Sequence, residues 1–356
     1  MTDLTTPPMF DGHNDALLKL FTAKTPDAKE GFITGHDGHI DLPKARRGGF
    51  GGGFFAIYVP SPRDSRDTGT FLSQMSGPSY DLPLPAPIDQ PEALPVVMAE
   101  VAILSQLERA GALKICTKTQ DIRHCLETGT IAAVMHIEGA EAIDANFDTL
   151  EVLYRAGLRS LGPVWSRPTA FAHGVPFRFP STGDTGPGLS DAGKALVREC
   201  NRLGIMLDMS HLNEAGFWDV VRLSDAPIVA THSNAHAICP TARNLTDRQL
   251  DAIRDSDGMV GVNFATAFLR PDGQMNADTP LELMLRHLDH LISHLGEDRV
   301  GFGSDFDGAM IPEAIGNVAG LPALRKEMRA HGYDNVLMEK IFFKNWLRVL
   351  AQSWGE

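Results

Sequence analysis

Residues Met9 to Leu18 read MFDGHNDALL, and the reading of this stretch decides the fold. A short apolar lead runs into Asp11-Gly12, after which His13 and Asp15 stand two residues apart. In an extended chain, residues at i and i+2 point to one face. An imidazole and a carboxylate therefore project together from the end of a strand, offering a nitrogen and an oxygen ligand to one divalent metal. Taken alone, H-x-D also describes an ordinary surface turn. The remaining strand ends decide between the two.

Along the chain, short apolar runs alternate with longer helical patterns, the signature of a parallel sheet with helical crossovers. The expected strands are Met9–Asp11, Gly52–Val59, Ala132–Ile137, Arg159–Val164, Met206–Met209, Ile228–Thr231, Met259–Asn263 and Val300–Gly303. Eight is the number that closes a (β/α)8 barrel of the TIM type; a doubly wound open sheet is the alternative. Helices are expected over Glu92–Ala110, over Ser190–Leu203 behind a Ser-Asp cap, and over Thr246–Arg254 behind a Thr-x-x-Gln capping box. The strongest amphipathic stretches are Thr279–Leu295 and Leu337–Leu350, the latter an extra C-terminal helix expected to pack against the outside of the barrel. Ser61–Pro91 and Arg167–Gly188 read as long loops after strands two and four, at the mouth where a barrel binds its substrate. Neither has the bias of a disordered linker, so residues 1–356 are expected to form one domain.

The strand ends carry the chemistry. The first gives His13 and Asp15; the third (AAVMHIEGAE) gives Glu138; the fifth (IMLDMSH) gives His211; the sixth (PIVATHSNAH) gives His232; the eighth (VGFGSDFDG) gives Asp305. Each sits where an apolar run meets Gly, Ser or Asn, the rim position of a barrel. Singly, a histidine there is more often a hydrogen-bonded core residue and an acid more often a helix cap. Three imidazoles and three carboxylates on one rim exceed the needs of one ion and point to two divalent metals about 3.5–4 Å apart, with a carboxylate bridging them. His136, two residues before Glu138 on its strand, and His236, in the loop after strand six, are left out of the set. His36, His39 and His173 fall in loop-like sequence.

Composition narrows the function classes. With 43% hydrophobic and 22% charged residues the chain reads as an ordinary soluble globular protein. The 32 Lys and Arg against 45 Asp and Glu give a formal net charge of −13, which argues against nucleic acid and anionic membranes as partners. The sequence contains no apolar run long enough to span a bilayer and no signal-peptide pattern. Cys116, Cys125, Cys200 and Cys239 are widely spaced and expected to be reduced, so the expected compartment is the cytoplasm.

The segments FDGHND, IDLPKARRGGFGGGFFAIYVP, IEGAEAI, LSDAGKALVRECNRLGIMLDMSH, ATHSNAH, ARNLTD and VGFGSDFDG occur in an order and spacing that resembles the renal (membrane) dipeptidase family of metallopeptidases, within the amidohydrolase superfamily. The resemblance covers essentially the whole chain. It implies a (β/α)8 barrel holding two zinc ions, His13 and Asp15 on one, His211 and His232 on the other, Glu138 bridging, and Asp305 as a weak ligand and proton shuttle. The roles agree with the chemistry: a hydroxide shared by two Zn²⁺ is nucleophilic near neutral pH because the metals lower the pKa of bound water towards about 7. Asp305 would accept its proton and pass it to the departing amine.

Arg243, in ARNLTD, matches the family position that binds the substrate's terminal carboxylate, a task that suits a planar guanidinium. One position departs from some members: where they carry a carbonyl-polarising histidine, the segment LGPVWSRPTAF places Trp165, whose indole donates a hydrogen bond without charge. The expected function is thus a zinc dipeptidase acting on L-Xaa-L-Xaa and L-Xaa-D-Xaa dipeptides, in a family whose members are often homodimers. The Trp165 departure keeps open an amidohydrolase acting on N-acyl amino acids or related small amides. A barrel that binds metal without chemistry is the third reading.

Overall fold

The computed structural model describes residues 7–23, 28–61 and 74–356. Eight parallel strands lie in chain order around a closed ring: β1 (Met9–Asn14), β2 (Phe50–Tyr58), β3 (Ile131–Glu138), β4 (Leu158–Gly162), β5 (Met206–Leu207), β6 (Val229–Ala230), β7 (Met259–Val262) and β8 (Val300–Phe302). Two single bridges complete the ring. Asp208 pairs with Val229 between β5 and β6, and Asn14 pairs with Phe306 between β1 and the end of β8. The barrel expected from the apolar runs is the fold observed, and each expected strand overlaps its counterpart.

Alternation along the strands separates two cores. On β3, Ala133, Met135 and Ile137 face outward and pack under helices with Leu104, Leu107 and Leu150. Ala132 and Val134 face inward, beside Phe10, Phe54, Met206, Val229 and Met259. Period two carries the same inward row on to His136 and Glu138 at the strand's C-terminal end. One strand therefore supplies packing at one end and chemistry at the other.

The C-terminal segment lies elsewhere than its periodicity suggests. It is a short helix (Asn335–Glu339), one π-helical turn (Lys340–Lys344) and a last helix (Asn345–Trp354). Instead of lying along the barrel's outer wall, its apolar face closes the barrel's N-terminal end. Trp346, Leu347, Val349 and Leu350 join the inner cluster, and Trp346 packs edge-on against Phe54 with its indole N–H donating to the Phe302 carbonyl at 3.0 Å. Amphipathicity says that a face is buried but not against what. The plug also explains Gly12: a Cβ there would stand 2.9 Å from the Phe302 carbonyl oxygen and closer still to the Trp346 ring and the Thr231 carbonyl.

The two long loops are not independent. Tyr80–Leu82 pairs antiparallel with Phe177–Phe179, joining the segment after β2 to the segment after β4. Met75, Tyr80, Phe179, Cys239 and Phe268 form a small apolar cluster around this ribbon. Residues 62–73 of the expected Ser61–Pro91 loop lie outside the described residues. The helix starts follow their expected caps: Ser190 accepts from the Gly193 N–H at 3.0 Å, and Gln249 accepts from the Thr246 N–H at 3.0 Å. Among the described residues no helix is long and apolar enough to cross a membrane.

Candidate metal centre and substrate site

The C-terminal ends of five strands deliver the six residues singled out in the sequence. On β1 the ladder to β2 becomes irregular between Asp11 and Asn14, and His13 Nε2 stands 3.4 Å from Asp15 Oδ2, so the i, i+2 pair does converge. Glu138 ends β3. His211 and Asp305, after β5 and β8, both adopt left-handed backbone (φ +67° and +61°), a conformation that costs a side-chain-bearing residue free energy and concentrates at functional sites. Asp208 is the local reason the β5 end turns as it does: its Oδ1 accepts from the Ser210 N–H at 2.9 Å and from the Thr231 N–H at 2.8 Å. His232 follows Thr231 and donates its own N–H to Ser210 Oγ at 3.1 Å.

These elements bring the side chains to one point. Glu138 Oε1 lies 3.1 Å from His211 Nε2, 3.4 Å from His232 Nε2 and 3.8 Å from His13 Nε2. The Nε2 atoms of His211 and His232 are 3.1 Å apart. Two ligand triads share Glu138, His13–Asp15–Glu138 and Glu138–His211–His232, and a third, His13–Asp208–His232, crosses between them, each with donor atoms within 4.8 Å of one another. All of these residues are buried, and Asp305 is half-buried.

The electrostatics of this cage are unbalanced. Burial pushes the Glu138 carboxyl well above the usual carboxylate range, and burial followed by the neighbouring Asp15 charge raises Asp305. Burial and the Arg243 and His13 charges hold His211 and His232 well below the ordinary histidine range. Burial alone would depress His13 as well, but the Glu138 and Asp15 carboxylates lift it to about 10. Both ring nitrogens of His13 are buried without a hydrogen-bond partner. A buried imidazole left unpaired among carboxylates is costly. Divalent cations would satisfy those nitrogens and balance the acids, so the donor set fits metal ions.

Several supporting residues were missed by sequence reasoning. His211 Nδ1 is hydrogen-bonded to Ser166 Oγ at 2.9 Å, and His232 Nδ1 to Thr231 Oγ1 at 2.8 Å, whose hydroxyl donates on to Asp208. Partners of this kind fix the ring orientation and tautomer of a ligating histidine. Asn263 Nδ2 donates to Asp305 Oδ2 at 2.8 Å. His136, left out of the set, sits directly beneath it, its Nδ1 on Ser160 Oγ at 2.9 Å and its ring edge-on to His13. His236, in the loop after β6, instead bonds the Ser181 carbonyl of the long segment after β4. The only signal for these residues was a polar side chain inside an apolar run, which also describes a structural hydrogen bond.

Arg243 and Trp165 flank the cage. Arg243 is buried, donating from Nη1 to Ser233 Oγ at 3.3 Å and from Nη2 to the His232 carbonyl at 3.0 Å, while its Nε has no partner. Burial lowers its pKa to about 10 against the pull of Asp305 and Glu138. Trp165 is half-buried, its ring 5.9 Å from His211, 5.2 Å from Tyr58 and 5.6 Å from Phe177. Behind it the fully buried Arg167 bonds Glu141 through Nε (2.9 Å) and Nη2 (2.7 Å), and the Val59 carbonyl at 2.8 Å, tying the ends of β2, β3 and β4 together.

A model of the membrane dipeptidases, peptidase family M19, matches residues 4–354. The chain belongs to that family. Among solved structures, this M19 peptidase resembles a metallopeptidase from Rhodobacter sphaeroides liganded with a phosphinate mimic of the dipeptide L-Ala-D-Ala. The two are 57% identical with a TM-score of 0.96, covering 98% of this chain and 100% of that one. It resembles equally a dipeptidase AC, a metallopeptidase of family M19, at 57% identity and a TM-score of 0.95 over 99% and 100% of the two chains. An uncharacterised protein from the pqqA 5′ region of Klebsiella pneumoniae is 49% identical over 74% of this chain and 98% of its own. The M19 peptidase described here is thus a metal-dependent enzyme by family.

Proposed function

We propose that this M19 enzyme is a cytoplasmic binuclear zinc dipeptidase that cleaves L-Xaa-L-Xaa and L-Xaa-D-Xaa dipeptides. One observation carries the reading: the two ligand triads share Glu138, the arrangement a pair of cations with a bridging carboxylate requires. Mixed imidazole and carboxylate donors suit Zn²⁺. Held by His13, Asp15 and Glu138 on one side and Glu138, His211 and His232 on the other, the ions would activate water as a nucleophile near neutral pH and polarise the scissile carbonyl.

The remaining work falls to the chain's own side chains. Asp305 stands where Asn263 fixes one of its oxygens, and takes up the proton of the attacking water. It then delivers that proton to the departing amine, because an amide nitrogen leaves only once protonated. Arg243 receives the dipeptide's terminal carboxylate; a buried guanidinium with an unpartnered Nε is suited to that ion. Trp165 and Phe177 form an aromatic wall beside His211. The L-Ala-D-Ala mimic bound by the Rhodobacter sphaeroides relative supports tolerance of a D-residue at the second position. The four buried free thiols support the cytoplasm as the compartment.

The test is a matched substrate set on the zinc-loaded enzyme: dipeptides with both termini free, their N-acetyl counterparts and their C-terminal amides, each with an L or D second residue. Both stereochemical series are expected to turn over. Amidation should lower kcat/KM by about thirtyfold or more, the factor that corresponds to losing about 2 kcal/mol of a buried charge contact. Absence of turnover on every free dipeptide would end the proposal. Preferential cleavage of the N-acetyl compounds would assign the enzyme to N-acyl amino acids instead.

A further inference from the structure

A second cluster of metal-ligating side chains lies on the outer wall and shares no residue with the barrel mouth. His290 and His294 occupy the helix Leu281–Leu295, which links β7 to β8. Four residues apart, they stand one above the other on the same face, with ring centroids 4.6 Å apart and planes inclined by 30°. The opposite face of this helix is buried through Leu285, Leu288 and Leu291, so the imidazoles are held at the boundary with solvent.

The third member comes from a different element. Asp247 is the first residue of the helix Asp247–Asp255, and its backbone is fixed by the Thr246 cap with its reciprocal Gln249 contact. Its Oδ1 lies 2.7 Å from His290 Nε2 and 3.8 Å from His294 Nε2. The three donor atoms are all within 4.8 Å of one another. Asp247, His290 and His294 keep 48%, 21% and 28% of their side-chain surface, so an ion in solution can reach them. Among the described residues, no lysine or arginine pairs with Asp247. Nearby Arg254 is committed to Asp251 at 2.7 Å and Asp255 at 3.0 Å.

We propose that Asp247, His290 and His294 form a surface site for a transition-metal ion of the Zn²⁺ class, with water completing the coordination. Two imidazole nitrogens and one carboxylate oxygen are a borderline donor set, which takes Zn²⁺, Ni²⁺ or Cu²⁺ in preference to Mg²⁺ or Ca²⁺ with their all-oxygen shells. An i, i+4 histidine pair presents both nitrogens from one rigid helix face, and Asp247 adds a ligand from the neighbouring helix. The bound ion clasps the helices that follow β6 and β7. Because it binds the folded chain and not the dispersed ligands, it raises thermal stability by RT ln(1 + c/Kd) at free zinc concentration c, so Tm climbs with the logarithm of free zinc once the site is filled. The site neither contributes to the chemistry at the mouth nor depends on the assignment of that chemistry.

Zinc is the probe. Full-length, untagged enzyme and its His290→Ala/His294→Ala variant are dialysed to equilibrium against a Zn²⁺ series near neutral pH, and bound zinc per chain is counted by elemental analysis. The native chain should hold one more equivalent than the double variant and show a zinc-dependent rise in Tm that the variant lacks. Turnover at the mouth should be equal in the two, which also reports that the variant folds. Asp247→Asn, which keeps both imidazoles, should weaken that one equivalent by at least about tenfold, the loss that follows even when an outer partner of a metal ligand is removed. Equal zinc content in native and double-variant protein, or an unchanged affinity in Asp247→Asn, would overturn the three-ligand site.

Discussion

The two ends of the barrel are built from the same eight strands and are both buried, yet they are opposites in chemistry. At the N-terminal end Phe10, Phe54, Met206, Met259 and Trp346 pack as an apolar floor, with the indole N–H bonded to the Phe302 carbonyl. At the C-terminal end, three imidazoles and three carboxylates share the space around Glu138. Burial at the first end stabilises the fold outright. At the second it displaces nearly every ionisable group from its ordinary range and leaves both nitrogens of His13 unpaired. The mouth therefore costs stability without its ligands, and the plug and the outer helices supply what the mouth does not. Function and stability occupy opposite ends of the same strands, and substitutions should separate them.

The sharpest separation is expected at Asp305. Asp305→Asn keeps the shape and the neighbours of the carboxyl group but cannot carry a proton. Turnover is expected to fall by about 10²–10⁴-fold, the usual contribution of a positioned acid–base group, with zinc content and unfolding midpoint close to native. Steady-state kinetics beside elemental analysis checks both halves. An undiminished kcat in the metal-loaded variant removes Asp305 from proton transfer.

The converse substitution is Trp346→Ala. Removing a fully buried tryptophan that fills the barrel floor should cost about 3–5 kcal/mol, read as a lower denaturant midpoint. Trp346 touches none of the six ligand-type side chains; the ring between is Phe54, edge-on to both Trp346 and His136, so kcat/KM of the folded variant at low temperature should stay within about fivefold of native. If Trp346→Ala instead abolished turnover in protein shown to be folded, the two ends would be coupled and the division drawn above would fail.

The same contrast explains what could be read from the sequence. Each strand end that carries one of the six site residues is an apolar run meeting Gly, Ser or Asn, and in a parallel barrel that pattern carries both the strand and the position of its functional end. His13, Asp15, Glu138, His211, His232 and Asp305 were found this way, and the structure brings them together. The C-terminal helix was visible from its periodicity, but the burial of Trp346 in the floor was not, because period 3.6 specifies a face and not its partner. The π-turn at Lys340–Lys344 left no trace in an amphipathic pattern that continues through it. The ribbon of Tyr80–Leu82 with Phe177–Phe179 joins two three-residue strands from distant loops, too short for any alternation to register. Asp208, Ser166 and Asn263 act through single contacts with residues far away in sequence, and no local spacing marks them.

Gly308 belongs with those unmarked residues and sharpens the comparison most finely. It follows Asp305 in the loop after β8, with its N–H on the Asp305 carbonyl at 3.1 Å. A Cβ built there would stand 2.6 Å from Asp305 Oδ1 and closer still to Asp15 Oδ2, so the absent side chain is the space in which the two carboxylates approach each other. Both obstacles are the far ends of side chains, which can rotate away at little cost to the fold. Gly308→Ala should therefore leave the unfolding midpoint near native while displacing Asp15 and Asp305, the proposed metal ligand and proton shuttle, together. A misplacement on the order of 1 Å can cost about 10²-fold in rate, and a loss of kcat of about ten- to a hundredfold is expected. Addition of zinc should restore less of that loss than it would for a variant weakened only in metal affinity. A variant that kept full kcat would mean that Asp15 and Asp305 work at a separation wider than the one this glycine permits.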